Sequence, residues 1–325
     1  PTVSLTSLGD LVAGILIEQV LFDNGRRKAE REFAAADVEV AAVNLSIDMN
    51  NRVETAIALY VSALKGDEKA ALGGRALDQM KEFERIVRGR VEGGVSDHAD
   101  LRVVRSKIDG MSSARATAHE AAATSRAELK ALTGQKFETS PSRLSLSSPP
   151  DSTSYLTVLK ASAEANRSIA QTKVERAGLL PQVAAAANAT NEGSGAGLTL
   201  DLATPLGLGT PALMKAIESA RETAERQISE AEEDARRNYS RQTQRLASYR
   251  RQEAEAATLA RTSHETYRFF QAQFDAGQRS VLDVVSIYEE WVQREQAHVD
   301  SKYEVVLIQL ELARDLGILA DGDTF

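Results

Sequence analysis

The chain contains no cysteine in 325 residues. This excludes disulfides, thiolate metal sites and cysteine nucleophiles, and it leaves the compartment open. Proline is scarce too. The seven prolines sit at 1, 141, 149, 150, 181, 205 and 211, so residues 2–140 and 212–325 have none. From 210 onward glycine occurs only at 277, 317 and 322. Proline and glycine are the strongest punctuators of local structure, and their absence predicts helices far longer than the usual 8–20 residues. A compact α/β enzyme, which turns every dozen residues, does not fit that spacing. Aromatic residues make up only 5%, thin for a globular core of this size. The net charge of −8 gives no electrostatic basis for nucleic-acid binding, which needs a basic face. No window approaches about 18 uncharged apolar residues, so no transmembrane helix is expected, and no secretory leader is read within the chain.

Hydrophobic residues at 42% and charged residues at 26% suffice for a buried core. Residues 11–22 read as a strand bounded by Asp23-Asn24-Gly25, and Pro1-Thr2-Val3 lies inside another. Residues 26–92 are compatible with one helix about 100 Å long, with Gly66, Gly73 and Gly74 as points where it can bend. Arg26, Arg27 and Lys28 form a basic run, read as a solvated or phosphate-facing helix start. Gly93-Gly94 breaks the pattern. Leu101, Val104, Ile108, Met111, Arg115, Ala118, Ala122, Ser125, Leu129 and Leu132 then step by three and four, the spacing of a coiled-coil seam. Arg115 and Ser125 are its exceptions, and Gly134 ends it. A Ser/Pro-rich connector follows at 135–154, and a helix at 155–177, stopped by Leu179-Leu180-Pro181. Residues 182–190 and 198–206 are strand candidates around a polar loop at 191–197. Leu198, Leu200 and Leu202 alternate with Thr199, Asp201 and Ala203, as in a barrel wall or half-buried sheet. A second long helix runs from Pro211 to Ala276. Gly277 breaks it, and the last helix carries Val285, Val292, Val299, Val306 and Ala313 at a spacing of seven before Gly317.

The two halves repeat. Gly94 and Gly277, Asp100 and Asp283, Leu129 and Leu312, and Gly134 and Gly317 are each 183 residues apart. Pro1-Thr-Val matches Pro181-Gln-Val at an offset of 180, and Val20-Leu21 matches Pro205-Leu206 at 185. Each unit is strand, strand, very long helix, tight glycine turn and shorter returning helix. By the repeat, a helix like 155–177, and any targeting signal, is expected upstream of Pro1. A strand pair cannot satisfy its own edges, and only helices or closed barrels span membranes. Four strands per chain therefore predict closure by several copies, and the heptad seams predict the same.

Leu21-Phe22-Asp23-Asn24-Gly25-Arg26-Arg27-Lys28-Ala29-Glu30 resembles the "PLFDGGRR-A" signature of the TolC-like outer-membrane efflux proteins. Phe274-Asp275-Ala276-Gly277-Gln278-Arg279-Ser280-Val281-Leu282-Asp283-Val284 resembles the family's second hairpin tip, and Leu180-Pro181-Gln182-Val183 its helix-to-strand entry. The resemblance covers nearly the whole chain. It implies a mainly α chain with a minor β part. Two tandem strand-strand-long helix-turn-helix repeats would form a homotrimeric α-helical tunnel in the periplasm under a twelve-stranded outer-membrane β-barrel. Such ducts are passive. They dock with a periplasmic adaptor (membrane fusion protein) and an inner-membrane ABC or RND pump, for efflux or type I secretion.

On this reading residues 1–22 are barrel strands of repeat 1, and 23–134 its hairpin with a tip near 91–100. Residues 135–154 are an equatorial connector and 155–180 a short helix. Residues 181–209 are barrel strands of repeat 2, 210–317 its hairpin with a tip near 274–283, and 318–325 a tail. Gly94, Val95, Ser96, Gly277, Gln278 and Ser280 are candidates for docking the adaptor. Carried over by position, Asp100 and Arg279 match the family's linking acid and arginine, and Asp283 matches the first pore aspartate. Phe274 stands for the linking tyrosine, Ala99 for its threonine partner and Ser286 for the second pore aspartate, so one lock and one acidic ring of the family are missing. Two readings stay open for each charge. Asp100 and Arg279 form a gate link or are solvated tip charges, and Asp283 lines the pore, caps a helix, or does both. His98, His119, His264 and His298 share no metal spacing. No phosphate loop, nucleophile triad or convergent carboxylate pair is present, so no catalytic residue, cofactor or metal is expected. Trp291, Tyr288, Phe269 and Phe270 read as packing residues. The strands offer only Phe22 for an aromatic girdle, and on that ground the competing reading is a coiled-coil scaffold without a pore.

Overall fold

The computed structural model describes residues 2–6, 14–136, 155–190, 193–201 and 210–320. Its elements are β1 (Thr2–Thr6), β2 (Gly14–Phe22), α1 (Arg26–Glu92), α2 (His98–Thr133), α3 (Leu156–Gly178), β3 (Gln182–Thr190), β4 (Gly193–Asp201), α4 (Thr210–Asp275) and α5 (Val281–Asp315). The chain forms two compact units, one of residues 1–48, 154–236 and 322–325, the other of 49–153 and 237–321.

The repeat is legible in the geometry. α1 ends at Glu92 and α4 at Asp275, and α2 starts at His98 and α5 at Val281, each pair 183 apart. Gly94, Gly134, Gly277 and Gly317 all take φ between 70° and 73°, the left-handed conformation that closes helices. The long helices persist because nothing interrupts them and because paired charges lie four apart on their surfaces. Arg26–Glu30 at 2.9 Å, Arg88–Glu84 at 2.7 Å and Arg221–Glu225 at 3.1 Å are examples. Each such pair adds about 0.2–0.5 kcal/mol.

The first unit holds the sheet, in the order β1-β2-β3-β4 with every pair antiparallel. The glycine-rich stretch expected as a loop at 191–197 is strand from Gly193 on. Thr190 pairs with Gly193, and its Oγ1 donates to the Gly193 carbonyl at 3.0 Å, so the β3–β4 hairpin is tight. Alternating glycines are tolerated there because they share one face of the strand. The remainder of the expected strand, 202–206, lies outside the described residues, as do Pro1 and the connector at 137–154. The turn from β2 into α1 uses the signature residues directly. Asp23 accepts from the Gly25 and Arg27 amides at 3.1 Å each, and Asn24, at φ 51°, donates from Nδ2 to the Pro181 carbonyl at 2.6 Å. Asparagine tolerates this left-handed position where most residues do not. The basic run is ion-paired: Arg26 with Glu30, Arg27 with Asp23, and Lys28 with Glu32.

The second unit is a helical core with heptad spacing. Ala76, Met80, Phe83 and Val87 of α1 meet Leu101 and Val104 of α2 and Val281, Val284, Val285, Tyr288 and Val292 of α5. Phe83 and Tyr288 contact edge to face at 5.6 Å. A second cluster joins Val61 and Leu64 to Val299 and Tyr303. Few aromatics are needed because valine, leucine and alanine fill most of the seam.

The glycines of α1 do not interrupt it. They provide clearance. A Cβ on Gly66 would stand 2.7 Å from the Ala122 Cβ and 2.8 Å from the Ala118 carbonyl, and one on Gly73 would meet the Arg115 Cβ at 3.1 Å. Arg115, the exception in the α2 seam, is accommodated by the Gly73-Gly74 pair. Asn50, fully buried, accepts from the Leu319 and Ala320 amides at 3.0 and 3.2 Å and donates to the Ala320 carbonyl at 3.2 Å. Ionic contacts cross the same seams. Lys65 and Lys69 converge on Asp300, and Lys302 and the Tyr303 hydroxyl converge on Glu68. Arg126 meets Asp67, and Lys107 meets Glu289.

Burial alone would raise the Glu68 and Asp300 pKa values. The lysine contacts, with Tyr303 in the case of Glu68, outweigh it and hold both below the usual carboxylate value. A depressed folded-state pKa means stability that is present above the unfolded value and lost as pH falls through the folded one. Acid titration is therefore expected to weaken this unit below about pH 4, and Lys302→Met is expected to lower stability at neutral pH and to shrink that acid-dependent loss, because Glu68 loses a contact that holds its pKa down; circular dichroism melts against pH check both. Gly66→Ala is expected to cost about 1–3 kcal/mol through overpacking against α2, read as a lower denaturant midpoint.

Candidate functional site: an amphipathic sheet and two hairpin tips

Strand register sorts the sheet residues onto two faces, because side chains alternate and paired residues share a side. One face carries Ile15, Ile17, Val183, Ala185, Ala187, Ala189, Ala196, Leu198 and Leu200, with only Gln19 and Ser194 polar. A bulge at Leu21 brings Phe22 opposite Val183 and so onto this face. The other face carries Glu18, Gln182, Ala184, Ala186, Asn188, Thr190, Thr199 and the glycines 193, 195 and 197, with Leu16 and Val20 as its larger apolar residues. On the apolar face Ile15 is 48% exposed, Leu200 66% and Leu198 73%. That is an uncovered hydrophobic surface on a sheet whose outer strands, β1 and β4, each leave an edge unpaired among the described residues.

The two tips are built alike, from the same hydrogen bonds 183 residues apart. After α1, the Gly94 amide donates to the Val91 carbonyl and the Val95 amide to the Arg90 carbonyl, at 3.0 and 2.8 Å. After α4, the Gly277 amide donates to Phe274 and the Gln278 amide to Gln273, both at 2.8 Å. Both are Schellman closures, which need a residue with positive φ. The returning helices then start on equivalent caps. Asp97 accepts from the Ala99 amide at 3.3 Å. Ser280 Oγ accepts from the Asp283 amide at 3.2 Å, while Asp283 Oδ2 accepts from the Ser280 amide at 3.3 Å, a full capping box.

Asp283 is therefore an exposed first-turn carboxylate engaged in a cap, and Ser286 lies exposed on the next turn. Asp100 occupies the equivalent helix position in the first tip and is partly buried. Within the chain Arg279 is not joined to Asp100. Its Nε donates to Gln273 Oε1 at 2.9 Å, and its guanidinium lies 4.4 Å from the centre of the Phe270 ring. Phe274 packs on the helical core beside Phe270. Val95 is 68% exposed, Gly94, Gly277, Gln278 and Ser280 are exposed, and Ser96 is partly covered.

Tyr288 and Trp291 pack as expected, Trp291 against His264 at 4.4 Å and Tyr267 at 5.6 Å. Phe269, expected to pack, is 61% exposed instead, because the neighbouring Phe270 takes the core-facing position. Burial raises the hydroxyl pKa of Tyr267 and of Tyr288, so both stay neutral. Of the histidines, His298 meets Glu253 at 3.2 Å. Among the described residues no group of three His, Asp or Glu is placed to hold a metal ion, and no helix is long and apolar enough to cross a membrane. Sequence reading missed Gln273, whose only signal was its place one residue before Phe274.

Ser280→Ala and Asp97→Ala are each expected to cost about 1 kcal/mol by removing the cap acceptor. The loss should appear in thermal melts and as faster amide exchange in the first turn of α5 or α2.

No family model matches the sequence, and no curated protein matches it. Solved structures do. The outer membrane protein VceC of Vibrio cholerae superposes with a TM-score of 0.79 at 13% identity, over 97% of this chain and 85% of that one. The open state of the MtrE outer membrane channel of Neisseria gonorrhoeae gives 0.76 at 15% identity, over 100% and 81%. The CmeC outer membrane channel of Campylobacter jejuni gives 0.71 at 12% identity, over 100% and 77%. The chain thus has the fold of outer-membrane channels, the fold that its resemblance to the TolC-like efflux proteins implies.

Proposed function

We propose that this protein is a subunit of an outer-membrane exit duct, carrying solutes passively across the periplasm and outer membrane. The observation that supports this best is the sheet. Its apolar face is uncovered, its opposite face is mostly polar or small, and among the described residues its two edges are open. Lipid covers such an apolar face, and copies of the same sheet satisfy the edges only by closing into a barrel. Three chains of four strands give the twelve-stranded barrel that the resemblance implies.

The helices ask for the same partner. Between 211 and 275 only Ala224, Ala235, Gln242 and Ala260 are buried; Tyr267 and Phe270 turn toward the core, and most other residues of α4 are exposed and open to a partner beyond the chain. A homotrimer whose α4 helices pack on neighbouring copies provides that cover. In it the tips at Gly94–Ser96 and Gly277–Ser280 form the periplasmic end, where a periplasmic adaptor and an inner-membrane ABC or RND pump dock. Asp100 and Arg279 link the tips in a closed state, Arg279 exchanging Gln273 for the carboxylate. Asp283 rings the entrance while keeping its cap to Ser280. With Phe274, Ala99 and Ser286 at the other gate positions, the gate is held more loosely than in a duct with both locks and both acidic rings. A coiled-coil scaffold without a pore would leave Leu198 and Leu200 in water.

Planar-bilayer conductance of the full-length protein, with crosslinking to count subunits, tests the proposal. Trimer-sized conducting particles that need detergent for purification are expected. A monodisperse, detergent-free, non-conducting preparation would overturn it. Asp283→Asn is expected to lower cation selectivity, and unchanged selectivity would remove that residue from the entrance.

A further inference from the structure

The four strands contain two charged residues, Glu18 in β2 and Asp201 in β4, and no lysine, arginine or histidine. The register places Glu18 on the polar face, opposite Ala186 and Thr2, and pairs Asp201 with Gln182. Glu18 is the fifth of the nine residues of β2, midway along the strand. Around it on the same face stand Leu16, Val20, Ala184, Asn188 and Gly197, none of which carries a charge. Among the described residues Glu18 makes no ion pair, whereas the basic run at the foot of the strand is matched by Glu30, Asp23 and Glu32.

This pattern is not required for a soluble inner wall. Asparagine, threonine and glycine already make the face wettable, and a carboxylate at the strand's midpoint adds a field. On the opposite face the same carboxylate would meet hydrocarbon at a cost, which is a second reason to place the polar face inward. In a closed barrel each copy contributes one Glu18 at the same height. None of its neighbours on that face carries a charge to offset it, and a ring of carboxylates favours cations.

We propose that Glu18 sets the charge selectivity of the outer-membrane section of the duct, admitting cationic and neutral solutes and disfavouring anions. The inference rests on the exit-duct reading above. It concerns the barrel wall and is separate from the tip residues.

With no cysteine in these 325 residues, a test at the site itself is available, without passage through the tips. Ala186→Cys lies directly opposite Glu18 on the inner face, and Ala187→Cys lies on the apolar face. The full-length protein carrying one or the other is reconstituted in liposomes and treated from the barrel side with a cationic or an anionic methanethiosulfonate reagent. Rates are divided by those of a small free thiol. At position 186 the cationic reagent is expected to react faster than the anionic one by about three-fold or more at about 0.1 M salt, where the screening length is about 10 Å. Glu18→Gln is expected to bring that ratio close to one, Glu18→Lys to invert it, and about 1 M salt to collapse it with no substitution at Glu18. A charge ratio at 186 that survives both Glu18→Gln and high salt overturns the inference while leaving the duct intact. Equal labelling at 186 and 187 places both faces in water and overturns the duct reading beneath it. The salt series keeps the test decisive if a Glu18 variant does not assemble.

Discussion

Backbone hydrogen bonds have to close somewhere, and where they close governs this chain. A long helix closes them within itself and leaves only its ends to be settled. Here the ends of α1, α4 and α5 are settled by glycine Schellman motifs, and the starts of α2 and α5 by Asp97 and Ser280. With the ends closed so cheaply, few loops are needed, and most of the chain is spent on two hairpins. The sheet is the opposite case. Among the described residues β2 and β3 are paired on both sides, while β1 and β4 are paired on one. What the helices achieve alone, the strands achieve only with further strands.

The same division explains what could be read from sequence. The limits of α1 and α4 follow from where glycine and proline stop and resume, because a breaker acts locally. The tips follow from the spacing of Gly94 and Gly277, because positive φ strongly favours glycine. The seam from Leu101 to Leu132 follows from its period. Strand limits were harder. Gly193, Gly195 and Gly197 look like a loop in isolation and act as strand only because Thr190, Asn188 and Ala186 pair with them. Arg115 looked like a flaw in the α2 seam until Gly73 and Gly74 of α1 were seen beneath it. Asn50 gave no signal at all, since its partners are about 270 residues away. Local rules reveal elements; contacts between distant segments have to be seen.

The candidate site divides in the same manner. The register supplies the two faces of the sheet without ambiguity, because one slip would move every apolar residue to the wrong side. Alternating leucines at 198 and 200 anticipated it. The tip charges are less determined. Asp283 serves a cap, and Arg279 has found Gln273 and Phe270 within its own hairpin. A pore or gate role for them depends on what neighbouring copies offer, and a single chain's sequence carries that information only through resemblance.

Asn50 has a consequence for the duplication itself. It lies on the first helix of the first repeat and holds the peptide that follows the last helix of the second. In sequence the two repeats run head to tail; in this contact the tail returns to the head. A tandem array joined only in series can lose its last member while the first stays intact. Here the closing turn is part of the wall of the opening helix, so truncation at the far end would uncover a buried amide near the beginning. In contact space the two copies of the repeat therefore form a closed loop rather than a line.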